Sequence, residues 1–324
     1  MKKGLKKLLS TSAVLAGLVA LTACAQAPAS EGNAQGEGES EELKTITVTH
    51  EYGETPVKEE PKNVVVFDFG ILDALDYMGV EVTGLPRSGS LPAHLSKFES
   101  DEYANAGSLK EPDLEAINEL NPDLIVMAGR MSDYYEEFSE IAPTVYVESD
   151  GADYINSFNK TATMFGDIFD KEEKATEIIE EVAQKVKEAN AEIAKKDINA
   201  SIIMVNGRSI SAYGALSRFA LLHNELGFAA ADENIDDSTH GQEVTFEYLL
   251  ETNPGYIFVV DRNSITGSSD ITAESVIENE LTMQTDAYKN GNIVYLNPVN
   301  WYTVSGGYNS TLSMINEVLE AIKA

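Results

Sequence analysis

The segment LEAINELNPDLIVMAGR, residues 114–130, recurs 132 residues later as FEYLLETNPGYIFVVDR, residues 246–262. In each copy a helical stretch ends at Asn-Pro, because proline cannot continue a helix, and an apolar run that predicts a strand follows. An arginine comes shortly after each run. Ligands of open α/β sheets bind at the carboxyl ends of the strands, so we expect Arg130 and Arg262 to face a ligand. Two unrelated units built on the same helix–strand pattern would also look alike, and this alternative stays open.

In the sequence around these two segments, apolar runs alternate with helical stretches, which is typical of a parallel α/β sheet. Residues 171–196 carry apolar side chains at helical spacing without Gly or Pro, which predicts one helix about 39 Å long. The expected fold class is α/β, with two duplicated α/β lobes joined by one long α-helix. The first lobe is expected at 44–166, the linking helix at 167–196 and the second lobe at 197–324. The predicted strands are residues 46–49, 64–67, 80–83, 124–127, 144–147, 201–205, 256–260 and 293–296.

The N-terminus has the pattern of an export signal. Lysines precede a mostly apolar run over residues 8–23, which is shorter than a membrane span of about 20 residues. The run ends in Leu-Thr-Ala before Cys24, an order that resembles the lipobox of bacterial lipoproteins; a lone buried cysteine after a plain secretory signal is the alternative. We therefore expect a signal peptide at 1–23, a lipidated Cys24, and a flexible acidic tether at 24–43. These features predict a protein anchored by lipid to the outer face of the cytoplasmic membrane.

Composition excludes several classes of function. The 324 residues include 54 Asp and Glu against 23 Lys and Arg, a net charge of −31, so a nucleic acid is not an expected partner. One cysteine allows neither a disulfide framework nor a cysteine-based zinc or iron–sulfur site. A surface-anchored hydrolase is a remote alternative, because the G-x-S-x-G, H-E-x-x-H and Walker A motifs do not occur in the sequence.

Several segments together resemble a known family. They are the lipobox, NVVVFDFGILDALDYMGV (63–80), LEAINELNPDLIV (114–126), GRSISAYG (207–214), STHGQEVTFEYLLETNPGYIFVVDR (238–262) and NPVNWYTVSGG (297–307). This set resembles the iron–siderophore substrate-binding lipoproteins of ABC importers, of the class III periplasmic binding protein type, over residues 44–324.

The resemblance implies a binding protein and not an enzyme. It implies no intrinsic cofactor, since the iron would arrive as an Fe(III)–siderophore complex. The narrower likeness is to the catecholate group, whose cargo is of petrobactin or enterobactin type. The implied partners are that siderophore, the permease subunits of an ABC importer and the membrane, with the protein acting as a monomer. Haem, cobalamin or a hydroxamate siderophore on the same scaffold is the alternative.

Arginines are the first group of candidate site residues. A ferric triscatecholate is a trianion, and guanidinium groups are always charged and can bind its oxygens in pairs. By resemblance, Arg130, Arg218 and Arg262 line the anion pocket, and Arg87 and Arg208 are reserve candidates. A surface ion pair is the plain alternative for each.

His240 and Tyr302 match the positions at which catecholate members of the family ligate Fe(III) directly. Phenolate oxygen and imidazole are suitable ligands for iron, although a structural His and an aromatic wall remain alternatives. Trp301, Tyr213 and Tyr308 are expected as pocket walls, with core packing as the alternative. The other histidines, His50, His94 and His223, are expected to be structural.

Glu115 and Glu247 occupy equivalent positions in the two repeat copies. In the family, one Glu on each lobe docks onto arginines of the permease, and the resemblance assigns these two residues that role. A solvated helix face, favoured by the helix dipole near an N-terminus, is the alternative.

Overall fold

A computed structural model describes residues 44–87, 91–235, 241–267 and 270–323. The expected signal peptide, Cys24, the tether and His240 lie outside these residues. None of the helices within the described ranges combines the length and apolar character needed to cross a membrane.

The first lobe is built on a five-stranded parallel sheet preceded by an antiparallel hairpin. Its strands are β1 (Thr45–His50), β2 (Gly53–Lys58), β3 (Val64–Phe67), β4 (Gly84–Leu85), β5 (Ala104–Asn105), β6 (Leu124–Ala128) and β7 (Thr144–Val147). Strands β1 and β2 form the hairpin, and the sheet has the order β5-β4-β3-β6-β7. Strands β3 and β6 are wholly buried, as expected for parallel strands covered on both faces.

Helices of the first lobe connect these strands. They are α1 (Phe69–Tyr77), α2 (Leu114–Glu119), α3 (Tyr135–Ile141) and α4 (Tyr154–Phe169). The predicted strand at 80–83 is wrong, because these residues form a loop after α1. The first hydrogen bond from this loop to β3 is donated by the Thr83 amide to the Val64 carbonyl, at 2.8 Å. The pairing of β4 with β3 therefore starts at Gly84.

The long helix α5 (Glu172–Ile193) has 22 residues and follows α4 after a sharp turn. Asp170 takes a left-handed conformation, φ 55°, which ends α4 and separates the two helices. The apolar stripe predicted for this helix is confirmed by its buried residues, Ala175, Ile178, Val182, Ala189 and Ile193. The helix is nevertheless shorter at both ends than the expected 167–196, since residues 167–169 belong to α4 and residues 194–196 form a turn.

The second lobe contains a six-stranded mixed sheet. Its strands are β8 (Asn199–Asn206), β9 (Ser209–Tyr213), β10 (Ala229–Ala230), β11 (Gln242–Val244), β12 (Tyr256–Asp261) and β13 (Ile293–Leu296). The order is β11-β9-β8-β12-β13, with β10 beside β8; β9 and β11 run antiparallel to their neighbours. The short helices are α6 (Phe246–Thr252), α7 (Arg262–Thr266), α8 (Ala273–Ile277) and α9 (Asp286–Lys289).

The sequence repeat corresponds to a structural repeat. Helices α2 and α6 each end at an asparagine in the left-handed conformation, Asn121 (φ 47°) and Asn253 (φ 40°), and lead into β6 and β12. Each of these strands lies between two parallel neighbours, β3 and β7 for β6, and β8 and β13 for β12. The carboxyl ends of β6 and β12 therefore occupy equivalent places in their sheets.

The C-terminal helix α10 (Tyr308–Lys323) packs against α1 and α5, although it follows the last strand of the second lobe. The fully buried carboxylate of Asp73 in α1 accepts hydrogen bonds from the Ser310 amide and the Asn309 side chain, both at 2.8 Å. The described residues from Lys44 onward form one unit. The lobe boundaries expected from sequence stay a prediction, with α10 as an element that joins the second lobe to the first.

Candidate functional site

Three arginines converge on one tyrosine. Arg130 follows β6 in a 3₁₀ turn, Arg262 begins α7 after β12, and Arg218 comes shortly before a π-helical turn at Leu221–Glu225. Arg130 and Arg218 both donate to the backbone carbonyl of Tyr302, at 3.1 and 2.9 Å. The Nε–H of Arg262 donates to the Tyr302 hydroxyl at 3.2 Å. The structure thus brings together the triad and the tyrosine named from sequence.

The Tyr302 ring also lies within cation–π range of the guanidinium groups. The guanidinium carbon of Arg218 is 4.3 Å from the ring centre, and those of Arg130 and Arg262 are 5.8 and 5.9 Å away. Tyr302 belongs to a second π-helical turn, Val299–Thr303. Such turns occur frequently at functional sites, and sequence reasoning did not predict either of them.

Positive charge dominates the electrostatics around Tyr302. Burial alone would raise the pKa of its phenol, but the Arg262 hydrogen bond and the charges of Arg218, Arg262 and Arg130 bring that pKa below its usual range. Burial lowers the pKa of Arg218, which nevertheless stays cationic at neutral pH. The cluster is therefore suited to an anion, and its positive charge makes the tyrosine easier to deprotonate than a free phenol.

A cavity of about 250 Å³ adjoins the cluster on the side of the first lobe. Its lining includes Arg130, Arg218 and Tyr302 together with polar side chains of the first lobe, namely Asp68, Glu148, Ser149, Ser157 and Thr161. Asp68 caps α1 by accepting from the Gly70 and Ile71 amides at 2.8 and 3.1 Å. Burial raises the pKa of Asp68, while these amide hydrogen bonds and the nearby arginines oppose the rise. Sequence reasoning missed Asp68, whose only signal is its place directly after strand β3.

A close contact between the lobes holds the Arg218 loop in place. A Cβ added to Gly151 would lie 2.5 Å from the Arg218 Cα, so only glycine allows this approach. Asn224 donates to the carbonyls of Ala152 and Ala215, at 2.8 and 2.7 Å, and so bridges the two lobes. These residues lie too far apart in sequence for pattern reasoning to pair them.

The aromatic residues expected as pocket walls are instead buried. Trp301 is 0% exposed and donates its indole N–H to Glu317 at 2.9 Å. Tyr213 is 1% exposed and packs edge-on against Phe219. Tyr308 is 2% exposed and hydrogen-bonds Glu181. The assignment of these three side chains to the pocket is therefore corrected, because none lines the cavity beside the arginines and each is packed in the core.

The two reserve arginines, Arg87 and Arg208, differ in their contacts and exposure. Arg87 donates to the carbonyls of Phe98, Ser100 and Tyr103 at 2.5–2.8 Å, so its role is to hold a loop, and its assignment to ligand binding is corrected. Arg208 is exposed in the two-residue turn between β8 and β9. Asn206, in the same hairpin, accepts a 2.8 Å hydrogen bond from Arg262. Arg208 thus stays a candidate at the edge of the site.

The histidines expected to be structural have protein partners. His50 is paired with Thr55 at 2.8 Å, His94 with Asp73 at 3.1 Å, and His223 with the Phe228 carbonyl at 3.1 Å. Among the described residues, no group of three or more His, Cys, Asp or Glu side chains is placed to hold a metal ion. His240 lies outside these residues, although the adjacent Gly241 contacts the Tyr213 ring so closely that a Cβ would approach within 2.7 Å.

Glu115 and Glu247 occupy equivalent places on the two lobes. Each is exposed in the first turn of its helix, α2 or α6, two residues after a capping side chain, Asp113 or Thr245. Their arrangement is compatible with a docking role, which stays a prediction.

Comparison with known proteins identifies the fold. Residues 64–299 match the family model described as periplasmic binding protein. The chain is 41% identical over 323 residues to the petrobactin-binding protein YclQ of Bacillus subtilis, covering 98% of this chain and 100% of YclQ. The crystal structure of YclQ superposes with a TM-score of 0.84 at 44% identity, covering 87% of this chain and 99% of the YclQ chain.

A second solved structure gives the same result. The catecholate-siderophore binding protein VctP of Vibrio cholerae superposes with a TM-score of 0.82 at 34% identity, covering 86% of this chain and 100% of VctP. The family and the fold class expected from sequence are thereby confirmed, as is the expectation of a binding protein and not an enzyme. The chain belongs to the periplasmic binding protein family.

Proposed function

We propose that this protein captures a ferric catecholate siderophore outside the cytoplasmic membrane and delivers it to an ABC importer for iron uptake. The observation that carries the proposal is the convergence of Arg130, Arg218 and Arg262 on Tyr302 beside a polar cavity. YclQ, named for petrobactin binding, and VctP, named for catecholate-siderophore binding, support this cargo class.

The charge of the cargo fits the arginines. A ferric triscatecholate is a trianion, and guanidinium groups bind catecholate oxygens through charge-assisted hydrogen bonds. The net charge of −31 does not prevent this, because exposed charges are screened beyond about 8 Å at physiological ionic strength. The local potential of the three arginines therefore governs binding, while the acidic surface slows the encounter.

The iron belongs to the cargo, and the protein contributes ligands where the siderophore leaves coordination sites open. Tyr302 fits this role, because a phenolate is a hard donor for Fe(III) and the arginines favour loss of its proton. His240 is proposed as the second ligand from sequence alone, two residues before β11. A hexadentate siderophore would leave both residues as pocket lining.

The N-terminal sequence and the two repeat-related glutamates complete the proposal. Lipidation of Cys24 would anchor the chain to the outer face of the membrane, with residues 24–43 as the tether. Glu115 and Glu247, one on each lobe, would dock a monomer onto the permease.

Titration with a panel of iron complexes tests the cargo. Trp301 is the single tryptophan of the chain, so quenching of its emission reports binding near Tyr302. Tight binding is expected for ferric petrobactin or ferric enterobactin and for a tetradentate bis-catecholate complex. A ferric hydroxamate, haem and cobalamin should bind at least about tenfold more weakly, a difference of 1.4 kcal/mol. Preference for any of the last three would reject the catecholate assignment.

A further inference from the structure

The segment that carries Tyr302 has an unusual conformation that tertiary contacts must maintain. It connects β13 to α10 and includes the π-helical turn Val299–Thr303, in which the Val304 amide donates to the Val299 carbonyl at 3.0 Å. Because π turns are rare and occur mostly as single turns, the position of Tyr302 depends on groups outside the turn.

One carboxylate of α10 fixes this segment at two points. Glu317 accepts a 2.7 Å hydrogen bond from the Asn297 amide, where the segment begins, and a 2.9 Å hydrogen bond from the indole N–H of Trp301. Trp301 is fully buried and directly precedes Tyr302. Burial raises the pKa of Glu317, and the two hydrogen bonds oppose the rise. Each carboxylate oxygen thus has one donor from the segment.

Helix α10 is itself fixed to the first lobe, so the contact sets Tyr302 relative to both lobes. Asp73 of α1 holds the start of α10 through the Ser310 amide, and the Ser310 hydroxyl donates to the Val304 carbonyl at 2.6 Å. Arg130 reaches the Tyr302 carbonyl from the first lobe. A shift of the segment along α10 would change the Arg130 and Arg218 contacts together.

We propose that Glu317 is a positioning residue of the ligand site, which holds Tyr302 among the three arginines through Asn297 and Trp301 without touching the ligand. This inference rests on the proposed function for its effect on binding. Its structural part, the coupling of Glu317 to the segment at 297–304, does not depend on the identity of the cargo.

Glu317→Gln is the decisive variant, because the two donors are held by different carboxylate oxygens and the substitution turns one of these oxygens into an NH₂ group, which cannot accept. Glu320→Gln is the matched control; it removes the same charge from an exposed position of the same helix. Trp301→Phe is the second variant, which removes the indole donor and leaves the Asn297 contact in place. All three are measured as the full chain, well below the unfolding temperature.

Two readouts distinguish positioning from a general loss of stability. The single indole N–H gives one cross-peak in a nitrogen–proton correlation spectrum, and Glu317→Gln should shift it while Glu320→Gln leaves it in place. Affinity for ferric petrobactin or ferric enterobactin is measured by isothermal titration calorimetry, because Trp301→Phe lacks the single tryptophan of the chain. It should fall about tenfold in Glu317→Gln and in Trp301→Phe, which corresponds to one buried donor or acceptor left unpaired. A role confined to stability would leave the affinity of the folded protein within about twofold of wild type.

An unshifted indole peak in Glu317→Gln, or unchanged affinity in a variant whose peak has shifted, would overturn the proposal. If the wild-type protein binds no ferric catecholate, the proposed function fails and amide hydrogen exchange decides the inference instead. Faster exchange of residues 297–304 in Glu317→Gln, with unchanged exchange in β8 and β12, would then support positioning. Unchanged exchange in that segment would overturn it.

Discussion

Arg218 holds both the backbone and the ring of Tyr302: it donates to the carbonyl at 2.9 Å, and its guanidinium carbon lies 4.3 Å from the ring centre. Arg130 donates to the same carbonyl. Two guanidinium groups from different parts of the chain therefore bind the carbonyl oxygen of residue 302, an atom that every substitution at this position retains. Tyr302→Phe therefore keeps the ring and the two carbonyl contacts, and it removes only the hydroxyl together with the hydrogen bond from Arg262.

Arg218→Ala should weaken binding of a ferric catecholate by about tenfold to a hundredfold, the equivalent of one lost charge-assisted hydrogen bond. The remaining arginines still provide positive charge, so binding should not be abolished. Fluorescence titration measures the change. Lys187→Ala, which removes one exposed charge from α5 outside the cavity lining, is the control and should bind as wild type. Equal affinity of Arg218→Ala and the control would remove Arg218 from the site.

Tyr302→Phe should shift the charge-transfer absorption of a bound tetradentate bis-catecholate complex, because the phenolate ligand of the iron is lost. The spectrum of a hexadentate complex should not change, since its iron has no open site. The measurement is a visible absorption spectrum of each loaded protein. Tyr295→Phe, a partly exposed tyrosine on β13, is the control. Identical spectra for Tyr302→Phe and wild type with the tetradentate complex would reject direct ligation.

Gly151→Ala should lower both stability and affinity. The new methyl group would lie 2.5 Å from the Arg218 Cα and 2.7 Å from the Ser217 carbonyl oxygen, so the two loops must separate. Overpacking of this kind costs about 1–3 kcal/mol, and the displaced Arg218 should reduce affinity about tenfold. Urea unfolding and ligand titration measure the two effects.

Gly129→Ala provides the comparison for this prediction. It adds a methyl group to the lining of the same cavity, where the nearest atom would be the Tyr146 hydroxyl at 3.5 Å. Its free energy of unfolding should stay within about 0.5 kcal/mol of wild type. A similar loss of stability in both variants would argue against the steric explanation for Gly151.

Glu115→Ala and Glu247→Ala should each reduce importer-dependent iron uptake severalfold while ligand affinity stays at the wild-type value. Both residues are exposed on equivalent helices and lie outside the cavity lining. Glu119→Ala and Glu251→Ala remove a charge from exposed positions of the same two helices and serve as controls. Uptake of radiolabelled iron complex by cells measures the effect. Normal uptake in both variants would exclude the docking role.

The hydrogen bond to the buried Asp73 raises the pKa of His94, against an opposing effect of burial. A raised pKa in the folded state stabilises the protein below the unfolded pKa of about 6.5, and this stabilisation is lost as pH rises through the folded value. The difference in free energy of unfolding between wild type and His94→Gln should therefore favour wild type by about 1 kcal/mol more near pH 5.5 than near pH 8.5.

Urea unfolding at both pH values measures this difference. The variant is needed because burial lowers the pKa of His50 and of His223, so these residues oppose the trend in the wild-type profile. A difference between wild type and His94→Gln that does not depend on pH would show that the His94–Asp73 pair contributes no charge effect.

Local patterns were sufficient for most elements of the fold. The apolar run Val64–Phe67 is β3, and the repeat-based strands at 124–127 and 256–260 lie within β6 and β12. Their positions follow from residue periodicity and from the Asn-Pro turns, which act over a few residues. The predicted strand at 80–83 failed because its pairing depends on where the chain returns to β3, a property of the tertiary fold.

Sequence patterns placed some of the candidate site residues correctly and misplaced others. Arg130 and Arg262 were named because they follow repeat strands, and Arg218 was added by resemblance; the structure brings the three together at Tyr302, and their role in ligand binding stays a prediction. Trp301, Tyr213 and Tyr308 were misplaced, because an aromatic side chain in a functional loop can point into the core or into the pocket with the same sequence signal. Arg87 was misplaced for a similar reason, since its three carbonyl partners are visible only in the folded chain.

The duplicated α/β plan and the placement of arginines after two equivalent strands could be read from the amino-acid sequence, because they depend on periodicity and residue chemistry. The contacts of Arg130 and Arg218 with the Tyr302 carbonyl, of Gly151 with Arg218, and of Glu317 with the Trp301 indole could be seen only in the folded chain. Hydrogen bonds and van der Waals contacts act over a few ångströms in space, and these residues are far apart in sequence until folding brings them together.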